Sequence, residues 1–387
     1  MDRFDDVERA LRNAAPDTLL DVIRAALGER YGVDWVELRL ADYSVTSLQV
    51  VEPVPLTTEA VFIHSSPQGR AFGTQEPYVE PWSGGPSVAA HFPITIRGDR
   101  MGVLSVSVPR DRFAQALLPE IQHVCEALGH EILVAERDTD LYVLARRAAR
   151  LTLAAEMQWQ LLPGRSCARA EFSLGAHLEP AYAIFGDNFD WSVSTDHLTL
   201  TVTNGMGEGI EAALLTGLVV NALRNARRAG IDLAGQAALA DQAVYAHYRG
   251  AAYASVLLLR FDLATGGIEA VDAGSPRMWR LRGRTVDAVD FDAQLPLGMF
   301  EETAYVTERF EVRPGDRLLI GSDGVYDTTS TAGEQYGERA LARALTANSF
   351  LPPPQVPQAV LRDLRDYRGG VPVEDDALIL CLDWHGR

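Results

Sequence analysis

The chain has 387 residues, 47% of them hydrophobic, and a formal net charge of -18 in which all 35 basic residues are arginines. That length suggests two or three domains, and the acidity argues against a general nucleic-acid binder, leaving only a local arginine patch as a basis for one. The lack of lysine excludes a P-loop and Schiff-base chemistry, and no uninterrupted apolar run approaches the roughly 18 residues of a membrane span.

The opening stretch, MDRFDDVERALRN, is acidic and amphipathic, unlike a secretory signal, so a cytoplasmic protein with no membrane partner is expected. Cys125, Cys167 and Cys381 are scattered without metal spacing and suit a reducing compartment as plain thiols.

Residues 1–135 read as one α/β domain. Val7, Leu11, Leu19, Leu20, Ile23 and Leu27 recur at helical spacing, DWVELRLA alternates like a strand, and HFPITIRGDRMGVLSVSV is a hairpin turning at RGDR. A helix from about Ala114 follows, with Leu118, Ile121, Cys125, Leu128 and Ile132 on one face. This order resembles a GAF sensory domain by pattern and not by signature residues; an unrelated small α/β domain is the alternative. No Cys or His constellation here suggests haem or iron.

Residues 136–163 read as a helical linker. Leu141, Leu144, Ala148, Leu151, Ala155, Gln158 and Leu162 follow steps of three and four, a heptad seam flanked by Arg146, Arg147, Arg150 and Glu156. The spacing predicts a coiled-coil signalling helix over 138–162 that pairs with a second copy in a homodimer; a helix packed on its own domain is the alternative. Pro163-Gly164 stops it.

Residues 164–387 alternate strands and helices. HLTLTVTN and YASVLLLRFDLATGGIEAVDAG are strand-rich, the latter a hairpin about DLATGG, and helices are expected near 208–228 and 235–248. Four turns with carboxylates or a near-carboxylate stand at strand ends: FGDNFDW with Asp187 and Asp190, TNGMGEG with Asn204, GSDGVYD with Asp323 and Asp327, and EDDALIL with Asp375 and Asp376. A carboxylate at the end of a buried strand is costly unless paired or metal-bound. Each turn alone reads as an ordinary Asp-Gly turn; together they suit a hard divalent cation, Mg²⁺ or Mn²⁺, and His and Cys are too sparse for zinc.

Residues from about 153 to 384 resemble a SpoIIE/RsbU-type serine phosphatase, a bacterial branch of the metal-dependent type 2C (PPM) class. LAAEMQWQLLPG, EPAYAIFGDNFDW, NGMGEGIEAALLTGLVVNALRNARRAG, VDAGSPRMWRLR, LPLGMF, PGDRLLIGSDGVYD and EDDALILCLDW match the signatures in order. The resemblance implies an α+β chain ending in an α-β-β-α sandwich that holds two metal ions and hydrolyses a phosphoserine or phosphothreonine on a protein. The implied partner is a phosphorylated STAS-type anti-anti-sigma protein in sigma-factor signalling. Carried over by motif, Asp187, Asp323 and Asp375 are metal-ligand carboxylates, the Gly205 carbonyl is a backbone ligand, and Asn204 occupies the place of the bridging aspartate. No side chain serves as nucleophile, because the paired cations activate a water; Ser322 then reads as a turn hydroxyl, and His177 and His385 as structural or surface residues.

Asn204 departs from that pattern. Two dications about 4 Å apart repel by about 16 kcal/mol at an effective dielectric near 20, and a neutral amide offsets none of it. One of the two ions is therefore expected to bind weakly or not at all. Glu208 can return the charge if it folds inward, or else faces solvent in the first helical turn. Phe185-Gly186 ahead of Asp187, and Ser275 where relatives carry histidine, also depart from the family. An active phosphatase, a degenerate pseudophosphatase acting as a regulatory binding module, and an exchange introduced for a natural aspartate all remain open.

Overall fold

A computed structural model describes residues 3–52, 60–83, 85–179, 185–369, 371 and 375–387. The lead-in to the first acidic turn, 180–184, and residues 372–374 fall outside them. The chain divides into two compact units, Met1–Arg150 and Leu151–Arg387.

The first unit runs α1 (Arg3–Asn13), α2 (Leu19–Tyr31), β1 (Trp35–Ala41), β2 (Ser47–Val50), β3 (Val61–Phe62), α3 (Pro67–Thr74), β4 (Tyr78–Pro81), β5 (Ser87–Ile96), β6 (Asp99–Pro109), α4 (Leu117–Ala135) and α5 (Leu141–Ala145). Its antiparallel sheet has the order β3-β2-β1-β6-β5-β4. The expected β5–β6 hairpin turns on Arg97 and Gly98, both at positive φ, the conformation a two-residue loop needs to match strand twist. Leu11, Ile23, Leu27, Ile121, Leu128 and Ile132 pack on one face against Leu38, Phe92 and Leu104. Phe72 of α3 covers the other face at Val103.

The expected continuous signalling helix over 138–162 is broken. Helix α5 ends at Ala145, tight turns carry Arg146 and Arg147, and α6 (Leu153–Leu161) starts afresh. The Thr152 side chain caps α6 by accepting from Ala155 N–H at 3.2 Å. Of the seam residues, Leu141 packs against the core of the first unit. In the second unit Leu151 and Ala155 pack with Ala213, and Leu162 packs against the sandwich core, while Ala148 is exposed. The segment is therefore two short helices and not one continuous heptad helix, and the division between units falls within it.

The second unit continues with β7 (Ser166–Ala168), β8 (Phe172–Glu179), β9 (Asp187–Val193), β10 (His197–Gly205), α7 (Gly209–Arg228), α8 (Leu233–Tyr248), β11 (Ala254–Asp262), β12 (Gly267–Ala273), β13 (Arg277–Arg282), β14 (Thr285–Val289), β15 (Glu308–Glu311), β16 (Arg317–Gly321), α9 (Asp323–Tyr326), α10 (Gly337–Ala347), α11 (Val356–Arg368) and β17 (Ala377–Trp384). Two antiparallel sheets, β15-β12-β11-β10-β9 and β14-β13-β16-β17-β8-β7, face each other. Alternate residues of each strand, among them Leu198, Leu200, Val202, Leu257, Leu259, Leu378, Leu380 and Leu382, fill the space between them. The opposite faces are covered by α7 and α8 on one side and α10 and α11 on the other. This is the expected α-β-β-α sandwich. Among the described residues no helix is long and apolar enough to cross a membrane.

Candidate metal centre

Four chain segments meet at one end of the sandwich. Asp187 opens β9 and sits across from Asn204 near the end of β10. The Asn204 side-chain amide donates to Asp323 Oδ1 at 2.5 Å and to Ser275 Oγ at 3.2 Å. Asp323 opens α9 directly after β16, and Asp375-Asp376 precede β17, the neighbour of β16. The sheets thus bring together Asp187, Asn204, Asp323 and Asp375 from positions almost two hundred residues apart.

Two close backbone approaches shape the cluster. Gly186 has φ +114°, and a Cβ there would lie 2.1 Å from the Gly205 carbonyl oxygen. Gly205 N–H donates to Gly186 O at 3.1 Å, and Thr216 Oγ1 donates to the same oxygen at 2.8 Å. The Gly205 carbonyl therefore lies against the turn that carries Asp187. Gly324 likewise admits the Asp376 carbonyl, which a Cβ would meet at 1.9 Å. Glycine is required at both places because no side chain fits.

Asp376 holds the first turn in place. Its Oδ2 accepts from the backbone N–H groups of Phe185 at 2.9 Å, Gly186 at 3.0 Å and Asp187 at 3.2 Å. From the linker side, the Gln158 side-chain amide donates to the Asp187 carbonyl, and Gln158 is fully buried. Sequence reasoning placed Gln158 on a helical seam and Asp376 merely in a carboxylate pair. Only the Gln at an otherwise apolar helical position hinted at a polar task.

Burial sets the electrostatics. It pushes the Asp187 carboxyl well above the usual range, and the neighbouring Asp376 charge pushes it further. Burial raises Asp375 to about 6, with Asp323 adding, and raises Asp376 to about 7 against the three N–H groups that pull it down. Burial raises Asp323 as well. Both carboxylate oxygens of Asp187, and Oδ1 of Asp376, are buried with no hydrogen-bond partner. Orphaned carboxylate oxygens at this depth fit a divalent cation, which would replace the lost solvation. Asn204 fits such an ion less well, because its NH₂ points a partial positive charge at Asp323. Among the described residues no three His, Cys, Asp or Glu side chains are drawn together closely enough to hold a metal ion.

The other candidates fall outside the cluster. Asp190 is buried and pairs with Arg224 and Arg227 of α7 at 2.8 and 2.9 Å, an anchor for that helix. Asp327 and Glu208 are exposed, so Glu208 returns no charge to the site. Ser322 is fully buried; its Oγ accepts from Leu378 N–H at 3.0 Å, the turn role expected of it. His177 is buried in β8 and His385 is surface-facing, where its ring bonds Ser173.

Residues 194–385 match the family model described as Stage II sporulation protein E (SpoIIE). Protein IcfG of Synechocystis sp. is 22% identical over 221 residues, a match covering 50% of this chain and 35% of that protein. The chain thus spans about a third of the length of this curated relative. The SiaA-PP2C domain of Pseudomonas aeruginosa aligns with a TM-score of 0.51 at 22% identity, covering 60% of this chain and 93% of that one. The PP2C phosphatase domain with a regulatory-domain fragment of the cell fate determinant SpoIIE from Bacillus subtilis aligns with a TM-score of 0.50 at 14% identity, covering 80% and 83%. At these identities the structural likeness establishes the sandwich fold.

Proposed function

We propose that the second unit of this chain, most of which matches the SpoIIE family model, belongs to the SpoIIE/RsbU-type branch of the metal-dependent PPM phosphatases and hydrolyses phosphoserine or phosphothreonine on a protein with the help of Mn²⁺ or Mg²⁺. The observation that carries this reading is the pair of buried, partnerless oxygens on Asp187, set beside Asp323, Asp375 and Asp376. Asp187, Asp323 and Asp375, which do not converge on one point as they stand, would turn their carboxylates onto the metal to hold it, with the Gly205 carbonyl beside them. A bound divalent ion supplies Lewis-acid polarisation of the phosphoryl group and an acidified water. The chain's own residues do the rest. Asp376 fixes the backbone of the Phe185–Asp187 turn, Gln158 holds the Asp187 carbonyl, and Gly186 and Gly324 let the backbones of the acidic turns pack against Gly205 and Asp376.

The substrate we favour is a phosphorylated STAS-type anti-anti-sigma protein, a choice resting on the family alone. We read the first unit as a GAF-like sensor, supported by its six-stranded antiparallel sheet with helices α1, α2 and α4 on one face. One observation favours a second reading. The neutral Asn204 amide hydrogen-bonds Asp323 at the place where the family carries an aspartate, which suits a pseudophosphatase that binds a phosphoprotein without turnover. The test is hydrolysis of a phosphoserine STAS protein by the full chain with Mn²⁺. Turnover that a chelator abolishes supports the enzyme. Turnover confined to Asn204→Asp supports the binding module, and no metal binding in either form refutes both.

A further inference from the structure

A phosphate monoester carries close to two negative charges at neutral pH. It must approach a chain of net charge -18 at a point where four carboxylates gather. Some fixed positive group at the rim would offset that repulsion, whatever the metal supplies.

Arg277 has the properties of such a group. It opens β13 directly after the loop DAGSP, whose Ser275 Oγ accepts from Asn204. Its guanidinium lies over the ring of Tyr326, 4.2 Å from the centroid. Tyr326 is on α9, the helix that begins with Asp323, and its hydroxyl donates to the Ser275 carbonyl at 2.6 Å. That hydrogen bond fixes the ring, and the ring in turn fixes the cation. Arg277 thus contacts the helix that carries Asp323, through Tyr326, and follows by two residues the Ser275 that accepts from Asn204.

The other arginines of the same strand behave differently. Arg280 pairs with Asp287 at 3.8 Å, and Arg282 with Asp316 at 2.6 Å. Among the described residues Arg277 forms no ion pair, and it is exposed. Asp272, behind the loop, feels its charge but lies beyond ion-pair distance, its Oδ1 accepting from Gly274 N–H instead. A guanidinium held over an aromatic ring without an ion-pair partner has N–H donors to offer, in the planar fork that matches two phosphoryl oxygens.

We propose that Arg277 is a substrate-binding residue that grips the oxygens of the phosphoryl group at the mouth of the candidate metal centre. The proposal rests on the phosphatase reading of that centre. Holding the guanidinium on Tyr326 before substrate arrives lowers the ordering cost of binding.

The experiment measures binding of inorganic phosphate to the full chain with Mn²⁺ by calorimetry, for the unaltered protein, Arg277→Met, Arg277→Lys and Arg280→Met. Loss of a charge-assisted, two-pronged contact should weaken phosphate binding by about tenfold to a hundredfold in Arg277→Met. Arg277→Lys should recover part of this, since it keeps the charge without the fork. Arg280→Met removes the same net charge from the same strand and should leave affinity unchanged. On a phosphoserine protein, Arg277→Met should raise KM more than it lowers kcat. Unaltered thermal unfolding would show that Arg277→Met is folded. If it misfolds, the comparison of Arg277→Lys with Arg280→Met decides, a loss in the former alone being the supporting result. Equal phosphate affinity in all four proteins overturns the role of Arg277 and leaves the phosphatase reading standing. An unaltered chain that binds Mn²⁺ but no phosphate overturns both.

Discussion

Replacing Asn204 by aspartate should make the protein weaker without metal and stronger with it. Asn204 Nδ2 donates to Asp323 Oδ1 at 2.5 Å, so the exchange turns an attractive contact into two carboxylates side by side. Two unit charges about 4 Å apart at an effective dielectric near 20 repel by about 4 kcal/mol, and screening at this half-buried place brings that to about 2 kcal/mol. For a unit the size of Leu151–Arg387, each kcal/mol corresponds to about 2–4 °C. In chelator at pH 8, Asn204→Asp should therefore melt about 4–8 °C below the unaltered protein. With Mn²⁺ the added carboxylate faces a dication, and the Kd from calorimetry should tighten at least about tenfold, closing or reversing the gap in Tm. Equal melting temperatures in chelator together with an unchanged Mn²⁺ Kd would refute the argument that the amide stands in for a bridging anion.

His177 should make stability depend on pH. Burial, with Arg165 and Arg365 nearby, pushes its imidazole down to about 3, against about 6.5 in the unfolded chain. Below pH 6.5 the unfolded chain takes up a proton that the folded one refuses, so stability falls as pH drops from 6.5 toward 3, by about 2 kcal/mol at pH 5. His177→Leu should remove that part of the loss between pH 7 and pH 5 in urea unfolding; an identical loss in both proteins would count against it. Gly186→Ala places a methyl group 2.1 Å from the Gly205 oxygen at φ +114°, and should cost more than about 2 kcal/mol along with Mn²⁺ binding. Gln158→Leu leaves the buried Asp187 carbonyl without its donor, for about 1–3 kcal/mol, and should weaken Mn²⁺ binding from outside the carboxylate cluster; a Kd unchanged from the unaltered chain would show that Gln158 is packing alone.

Much of the second unit is legible in its sequence because the information is local. Alternating apolar residues in HLTLTVTN mark β10, and the glycines after Asn204 mark the turn into α7. Each carboxylate at the end of an apolar run announces a buried charge in need of a partner. The same locality misleads over 138–162. A spacing of three and four shows that one face is apolar, but not what covers it. The seam is divided between two cores, and Thr152 caps a second helix where one was expected to continue. Gln158 escaped notice for the same reason, since its partner is a backbone carbonyl on strand β9.

What the sequence by itself determined is which segments bury apolar faces, where they turn, and which turns carry acidic groups, since periodicity and glycine placement act over a few residues. Only the tertiary structure decided that Asp376 clamps the Asp187 turn, that Asn204 hydrogen-bonds Asp323, and that Arg277 lies on Tyr326. Those contacts join residues up to about 190 positions apart, and their geometry is set by the register of two facing sheets, which no stretch of chain specifies alone.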